Sequence, residues 1–120
     1  MSENKEYVSK NVERGNIHIS EDVLAAMASM AIVEVEGVCG MSNAISTKKN
    51  IGKGVRVIIS HDETVSFDCY VVALYGYSVL DVAKAVQEAV KTTVESTTGC
   101  RVSNVNVSIS GIAQNRNAKK

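Results

Sequence analysis

The sequence has no tryptophan, one phenylalanine and four tyrosines among 120 residues. Proteins that hold single-stranded nucleic acid stack the bases on aromatic side chains, so this composition leaves little surface for such binding. Thirteen basic and thirteen acidic side chains cancel to a formal net charge of +0. The protein as a whole therefore has no long-range field that would draw it to nucleic acid or to an anionic membrane.

The chain also lacks an apolar run long enough to cross a membrane. Its longest strongly apolar run, Cys69–Tyr75, is far below the roughly 18 residues that a spanning helix needs, and residues 1–6 lack the apolar core of a secretory signal. The widely spaced cysteines Cys39, Cys69 and Cys100 are odd in number and form no CxxC pair, which is typical of a reducing compartment. We expect a cytoplasmic protein with no transmembrane segment of its own, which reaches the inner membrane face only through a partner.

The composition is that of a globular protein, with 45% hydrophobic and 22% charged residues. The chain length allows one domain with one core. Residues 1–14 and 113–120 are mostly polar and show no periodicity. We therefore expect a flexible N-terminal arm and a flexible polar tail on either side of a folded domain at residues 15–112.

Two amphipathic patterns predict helices. Ser20 offers a capping oxygen, and apolar residues follow at helical spacing until a stop near Gly37. Ser78 and Asp81 begin a second pattern, which continues to Gly99. The apolar positions are Val23, Leu24, Met27, Ala28, Ala31 and Val35 in the first helix, and Val79, Val82, Ala83, Val86, Ala89, Val90 and Thr93 in the second.

Alternating apolar and polar residues predict four strands, at residues 15–20, 55–59, 65–73 and 101–110. The polar turn at residues 61–64 joins the middle two strands into an antiparallel hairpin. The predicted order is β-α-β-β-α-β. This is an α+β fold, a single two-layer domain with two helices packed on one face of a small sheet.

A candidate interaction surface lies on the opposite face of that sheet. Alternate residues of a strand point to opposite faces of the sheet. If Phe67 points to the helices, Tyr70, Val72 and Leu74 point away from them. A two-layer domain leaves this face open to water, and an apolar row there is typical of an association surface. We hypothesise self-association or partner docking on this row, although a covering segment or ordinary surface apolarity would also explain it.

The residues that usually carry chemistry form no recognisable motif. His18 and His61 lie in no zinc-protease spacing, and His61 falls in a predicted polar turn. The three cysteines lack the close ligand pairs of zinc sites and are better interpreted as buried inert thiols. We therefore expect no enzyme, with no catalytic residues, metal or cofactor.

A basic segment in the loop at residues 42–53 is the best candidate for an anion contact. Lys48, Lys49, Lys53 and Arg56 place four cations within nine residues, which could meet phosphate or a lipid headgroup, although a solvated loop is the commoner meaning of such a run. Gly52-Lys53-Gly54 lacks the spacing of a phosphate-binding P-loop. Binding of nucleic acid through this loop is the alternative function.

Several motifs together resemble one bacterial family. They are Glu36-Gly37-Val38-Cys39-Gly40-Met41, Gly52-Lys53-Gly54-Val55, Tyr70-Val71-Val72-Ala73-Leu74-Tyr75-Gly76, the Val86–Val90 core of the second helix, and Val105-Asn106-Val107-Ser108-Ile109-Ser110-Gly111-Ile112. This set, spread over residues 15–112, is similar to the alkaline-shock, envelope-stress-response family.

The resemblance implies a small non-enzymatic α+β protein of Gram-positive-type bacteria. It implies a cytoplasmic protein that associates with itself and, in some members, is held at the membrane by an integral membrane partner. Cell-envelope stress response or homeostasis would be its process. The family has no established catalytic residues, so the resemblance transfers none to this chain.

Overall fold

The computed structural model describes residues 7–41, 51–52 and 54–114. Two helices pack on one face of a sheet, so the α+β class and the two-layer arrangement are confirmed. The elements are β1 (Tyr7–Val12), β2 (Gly15–Ser20), α1 (Glu21–Val33), β3 (Val38–Met41), β4 (Ile51–Gly52), β5 (Val55–Ile59), β6 (Thr64–Leu74), α2 (Val79–Thr98) and β7 (Arg101–Ala113).

The main sheet is organised around the long strand β6. On one side β6 pairs with β7 in parallel along its whole length, from Thr64↔Arg101 to Leu74↔Ala113. On the other side it pairs antiparallel with β5, in the register Val57↔Phe67, and with β3, in the register Val38↔Ala73. Because β7 fills one edge of β6, β3 and β5 lie end to end along the other edge. The two-residue β4 pairs antiparallel with β5, in the register Ile51↔Arg56.

Strict alternation along β6 separates the two faces of this sheet. Val65, Phe67, Cys69, Val71 and Ala73 are buried, and the residues between them are half-buried. The buried phase faces the helices, where α1 lies over β3 and β5 and α2 lies over β7. The single core between the two layers includes Leu24, Ala28 and Ile32 from α1 and Val82, Val86, Val90 and Val94 from α2.

Both helices begin as the sequence predicts. The Ser20 side chain accepts a hydrogen bond from the Val23 backbone at 3.3 Å, and Ser78 does the same for Asp81 at 3.2 Å. α2 ends at Gly99, whose φ of 75° lies in the left-handed region that glycine adopts at low cost. α1 ends earlier than predicted, at Val33, and Gly37 instead forms the turn into β3 with a φ of 95°.

The predicted N-terminal arm is wrong for residues 7–14. Tyr7–Val12 forms β1, which pairs antiparallel with β2 from Tyr7↔Ser20 to Val12↔Gly15. Val8 is fully buried in the core, and the backbone N–H of Ser9 donates to the Glu63 carboxylate at 2.8 Å. The sequence pattern missed this strand because residues 7–12 are mostly polar and show no regular alternation, although Val8 docks in the core. Residues 1–6 lie outside the described residues.

Two further strand boundaries differ from the sequence prediction. β3 was not predicted, since its glycines resemble a helix stop and its pairing partner lies more than 30 residues away. β7 continues to Ala113 because β6 extends to Leu74, which pairs with Ala113, so the expected tail is wrong at its first residue. Residues 115–120 of that tail lie outside the described residues, as does most of the predicted loop at 42–53.

Candidate interaction surfaces

The predicted row Tyr70, Val72 and Leu74 lies on the sheet face away from the helices, and all three side chains are half-buried. Val72 has Gly40 opposite it on β3 and Gly111 opposite it on β7. Glycines leave room beside it, because a Cβ at Gly111 would only just touch Val72, at 3.9 Å. The row is therefore one narrow apolar ridge, and its role in association stays a prediction.

Next to this row the same face carries polar residues. Arg56, Asp68 and Asn106 form one row across three strands, and the Asn106 amide donates to the Asp68 carboxylate at 2.9 Å. Arg56 is exposed beside this pair. Of the four cations predicted to contact an anion, Arg56 alone lies within the described residues, because Lys48, Lys49 and Lys53 fall outside them. The predicted anion contact therefore lies mostly outside the described residues and stays a prediction.

The two histidines lie in different parts of the fold, His18 in β2 and His61 in the turn between β5 and β6. His18 stacks on Tyr7, with ring centroids 4.3 Å apart. His61 is exposed in the β5–β6 turn, where its neighbour Asp62 accepts hydrogen bonds from the Thr64 hydroxyl at 2.8 Å and the Thr64 backbone at 3.2 Å. These bonds lower the pKa of Asp62 below its ordinary value. Asp62 therefore shapes the turn through these two bonds.

All three cysteines are buried. Burial raises the pKa of the Cys69 thiol to about 12, with a smaller contribution from the charge of Asp68. The thiol therefore stays protonated at neutral pH and makes a poor nucleophile or metal ligand. Within residues 7–41, 51–52 and 54–114 no cluster of His, Cys, Asp or Glu could hold a metal ion.

The largest exposed apolar feature on a helix lies on the outer face of α1. Val23 is 45%, Met30 66% and Val33 40% exposed. These residues recur at helical spacing, with Ala26 and Met27 half-buried between them. We call Val23, Ala26, Met27, Met30 and Val33 the outer face of α1. It lies opposite the buried side of the same helix, which carries Leu24, Ala28 and Ile32.

Acidic residues border the outer face of α1 at both ends. Asp22 lies in the first turn, and Glu34 and Glu36 follow the last turn, all of them exposed. The helix itself contains no basic residue, and its acidic residues all lie in the first turn. The surface is therefore apolar in the middle and negative at its two ends.

Comparison with known proteins identifies the family of this fold. A family model for the alkaline shock protein 23 family, described as having a cell envelope-related function, matches residues 9–114. The chain belongs to this family. An uncharacterized protein of Streptococcus pyogenes serotype M6 is 35% identical over 114 residues, covering 88% of this chain and 93% of the relative. The uncharacterized protein YloU of Bacillus subtilis is 35% identical over 107 residues, covering 82% and 88%.

The resemblance found in the sequence is thus confirmed, and the match to the alkaline shock protein 23 family extends further than the sequence motifs. It begins within β1 and ends just after β7, so the β1–β2 hairpin lies largely inside the family domain. A zinc form of the MamM CTD aligns with a TM-score of 0.48 and 16% identity, over 78% of this chain and 84% of that chain. A likeness at this level carries no argument about function.

A second apolar cluster in this family member lies where β6 turns into α2. Tyr75 is 72%, Tyr77 42% and Leu80 63% exposed. The Tyr77 hydroxyl donates to Glu36 at 3.3 Å, and a shallow groove separates Glu36 from the first turn of α2. This end of the molecule therefore connects the end of α1 with the start of α2.

The outer face of α1 could have been found from the sequence. The helix has 13 residues and only two charged ones, Glu21 and Asp22, at its very start. A helix that is apolar all round is normally buried on all sides. One apolar stripe predicts the buried side of α1, and the apolar residues on its opposite side are the signal for an exposed apolar face. Neither helix of the described residues is long and apolar enough to cross a membrane.

Proposed function

We propose that this member of the family is a non-enzymatic interaction protein of cell-envelope stress response or homeostasis. It docks a helical segment of a membrane-anchored partner protein on the outer face of α1. The observation that supports this function is the exposed apolar surface of α1, with Met30 66% exposed at its centre. Within the part of the chain that the structure describes, this surface stays exposed, and exposed apolar patches mark sites of association.

The dimensions of the outer face of α1 fit a helix. Thirteen residues give a helix about 20 Å long, and the apolar residues at Val23, Met30 and Val33 span most of that length. A partner helix with apolar residues at matching spacing can pack along it, in the way that amphipathic helices are recognised in apolar grooves. The apolar side chains supply the affinity in this arrangement.

The charges at the two ends select the partner. Asp22 at one end and Glu34 and Glu36 at the other favour a helix that carries Lys or Arg at both ends. A second copy of α1 would place acidic residues against acidic residues in either direction, which is unfavourable. An anionic lipid surface would be repelled for the same reason.

Basic residues at the ends of an apolar helix are common next to membranes. Cytoplasmic segments that flank transmembrane helices carry an excess of Lys and Arg. A short amphipathic helix beside a membrane anchor would therefore offer the apolar stripe and the basic ends that the outer face of α1 requires. Docking to such a helix would place the protein at the membrane without a spanning segment of its own.

The test uses the full chain and two synthetic helical peptides. Both peptides carry the same apolar stripe, and one has lysines at both ends where the other has glutamates. We expect the lysine-ended peptide to bind at least roughly tenfold more tightly, measured by fluorescence anisotropy at low salt. Met30→Glu should reduce this binding at least roughly tenfold without unfolding the protein, because the side chain is mostly exposed.

The matched control is Thr97→Glu, which adds the same charge to an exposed position of α2. It should leave peptide binding unchanged. Equal binding of the two peptides would contradict the charge argument. Binding that survives Met30→Glu would place the docking site elsewhere, with the row Tyr70, Val72 and Leu74 as the next surface to substitute. Direct binding of the protein to anionic vesicles without a peptide would replace the protein partner with lipid.

A further inference from the structure

The outer edge of β7 is a second feature of the molecule, separate from the outer face of α1. β7 has 13 residues and, among the described residues, pairs with β6 alone. From Val102 to Gln114 the sequence contains no charged residue and no proline. Charges and prolines are the usual means by which proteins protect a strand edge from pairing with another chain.

The first part of this edge is closed by side chains from α2. The Gln87 side-chain amide donates to the Val105 carbonyl at 2.9 Å, and the Glu95 carboxylate accepts from the Val102 backbone N–H at 3.0 Å. The bond from Val102 holds the pKa of Glu95 below its ordinary value, so this group stays charged and keeps accepting. The edge is therefore occupied as far as Val105.

Beyond Val105 the edge is open among residues 7–41, 51–52 and 54–114. The Val105 carbonyl points outward to Gln87, and backbone groups alternate along a strand, so the N–H and C=O groups of Val107 and Ile109 also point outward. No bulge interrupts the register between Asn104 and Ile109. The backbone groups of Asn106 and Ser108 face β6 instead.

Apolar side chains border the open part. Ile112 is 57% exposed on β7, and Val107 and Ile109 are half-buried on the helix side of the strand. Leu80, 63% exposed, precedes Gln87 by seven residues and therefore lies on the same side of α2, toward this edge. The open edge thus combines unpaired backbone groups with an apolar border, whereas the closed part is bordered by Lys84, Glu88 and Lys91.

We infer that a second copy of this chain pairs with the open edge, β7 against β7, antiparallel and with the two-fold axis at Ser108. In this register Val107 of each copy lies opposite Ile109 of the other and exchanges both backbone hydrogen bonds with it, which gives four such bonds in the pair. The bulge between Ile109 and Gly111 and the Gln87 cap on Val105 end the ladder on either side.

The occupant is a second copy because the edge is self-complementary. Two identical edges related by a two-fold axis place donors opposite acceptors, and the β-branched side chains of Val107 and Ile109 form favourable cross-strand pairs. No charged residue of β7 between Val102 and Ala113 opposes itself in this arrangement. The outer face of α1 lies on a different element with acidic ends, so the two surfaces have different partners and this inference does not depend on the proposed function.

Ser108 provides a test of both the edge and its register. Its side chain is exposed on the face away from the helices, and it lies opposite itself on the two-fold axis. We expect the wild-type chain to have twice the mass of one chain by light scattering at high concentration. Ser108→Lys and Ser108→Asp should each weaken the dimer by roughly tenfold or more, because like charges then face each other. An equimolar mixture of the two variants should restore the dimer.

The control is Asn104→Lys, on the same face and strand but off the axis, which should keep the wild-type dimer. Hydrogen exchange should show amide protection at Val107 and Ile109 that increases with protein concentration in the wild type and is lost in Ser108→Lys. A wild-type monomer at high concentration would overturn the inference. Dimers that persist in both Ser108 variants, or a mixture that stays monomeric, would overturn it equally.

Discussion

The helices α1 and α2 pack on the same face of the sheet in the same way, but the residues on their solvent-facing sides differ. Both start at a serine cap and bury one side against the sheet. α2 places five charged residues along its 20, from Asp81 to Glu95, on the side away from the core. α1 has two in 13 and keeps an apolar outer face. The buried side of each helix accounts for its packing on the sheet. The residues on the solvent-facing side indicate whether the helix also offers a surface for another protein.

The largest expected effect separates the two sides of α1. Leu24→Ala should lower the free energy of unfolding by about 3 kcal/mol, because Leu24 is fully buried and its removal leaves a cavity. Met30→Ala should change that free energy by less than about 0.5 kcal/mol, because Met30 is mostly exposed. Urea denaturation measures both. Similar losses for the two variants would mean that the outer face is covered in solution.

A second effect tests the contact between the end of α1 and the start of α2. A Cβ added at Gly37, where φ is 95°, would lie 2.7 Å from the Val82 methyl group of α2. Gly37→Ala should therefore cost about 2 kcal/mol of stability, from backbone strain together with this clash.

The control for this effect is Gly76→Ala. Gly76 has a similar φ of 101°, but a Cβ there meets nothing within 4 Å. It should cost about 1 kcal/mol, from backbone strain alone. If the two alanine variants lose equal stability, Val82 can move away and the helix contact is not tight. Adding Val82→Ala to the Gly37 variant should recover part of its loss only if the clash is real.

The sequence predicted α2 almost residue for residue because every local signal agreed. The Ser78 cap, the spacing of Val82, Val86 and Val90, and the Gly99 stop all point to one helix. β5 and β6 were predicted equally well, since their alternation is long and regular. In these elements the chemistry of neighbouring residues decides the structure.

The elements that the sequence analysis missed are stabilised by distant partners. β1 depends on one buried side chain, Val8, and on backbone pairing with β2. β3 depends on its register with β6, where Gly40 lies opposite Val72. The outward-facing edge of β7 was missed for a related reason. It follows from the pairing of β7 with β6 on one side, which a linear pattern does not show.

The caps of the two helices should contribute equally, although their outer faces differ. Ser20→Ala and Ser78→Ala each remove the acceptor for one backbone N–H in the first turn and should each cost about 1 kcal/mol. Ser78→Asp and Ser20→Asp should retain most of the stability, since aspartate also caps well. Thermal denaturation measures all four. A much smaller loss at Ser20 would indicate that α1 is held in place by tertiary packing alone.

The smallest expected change in the free energy of unfolding concerns the solvent-facing side of α2. On α2 the Lys91 ammonium lies 3.5 Å from the Glu95 carboxylate, with the two side chains 51% and 33% exposed. Lys91→Ala should cost no more than about 0.5 kcal/mol, and less at high salt, because exposed ion pairs are weak. Its binding to the lysine-ended peptide should equal that of the wild type.

Lys91→Ala and Met30→Glu are thus expected to have similar free energies of unfolding. Lys91→Ala should bind the lysine-ended peptide as the wild type does, whereas Met30→Glu should bind it more weakly. Denaturation in urea and peptide titration of the same two preparations would show this together. If Lys91→Ala also weakened peptide binding, the polar side of α2 would belong to the docking surface and the partner helix would have to lie across both helices. If neither variant affected binding, the apolar outer face of α1 would have no part in recognition, and the difference between the two helices would be one of composition alone.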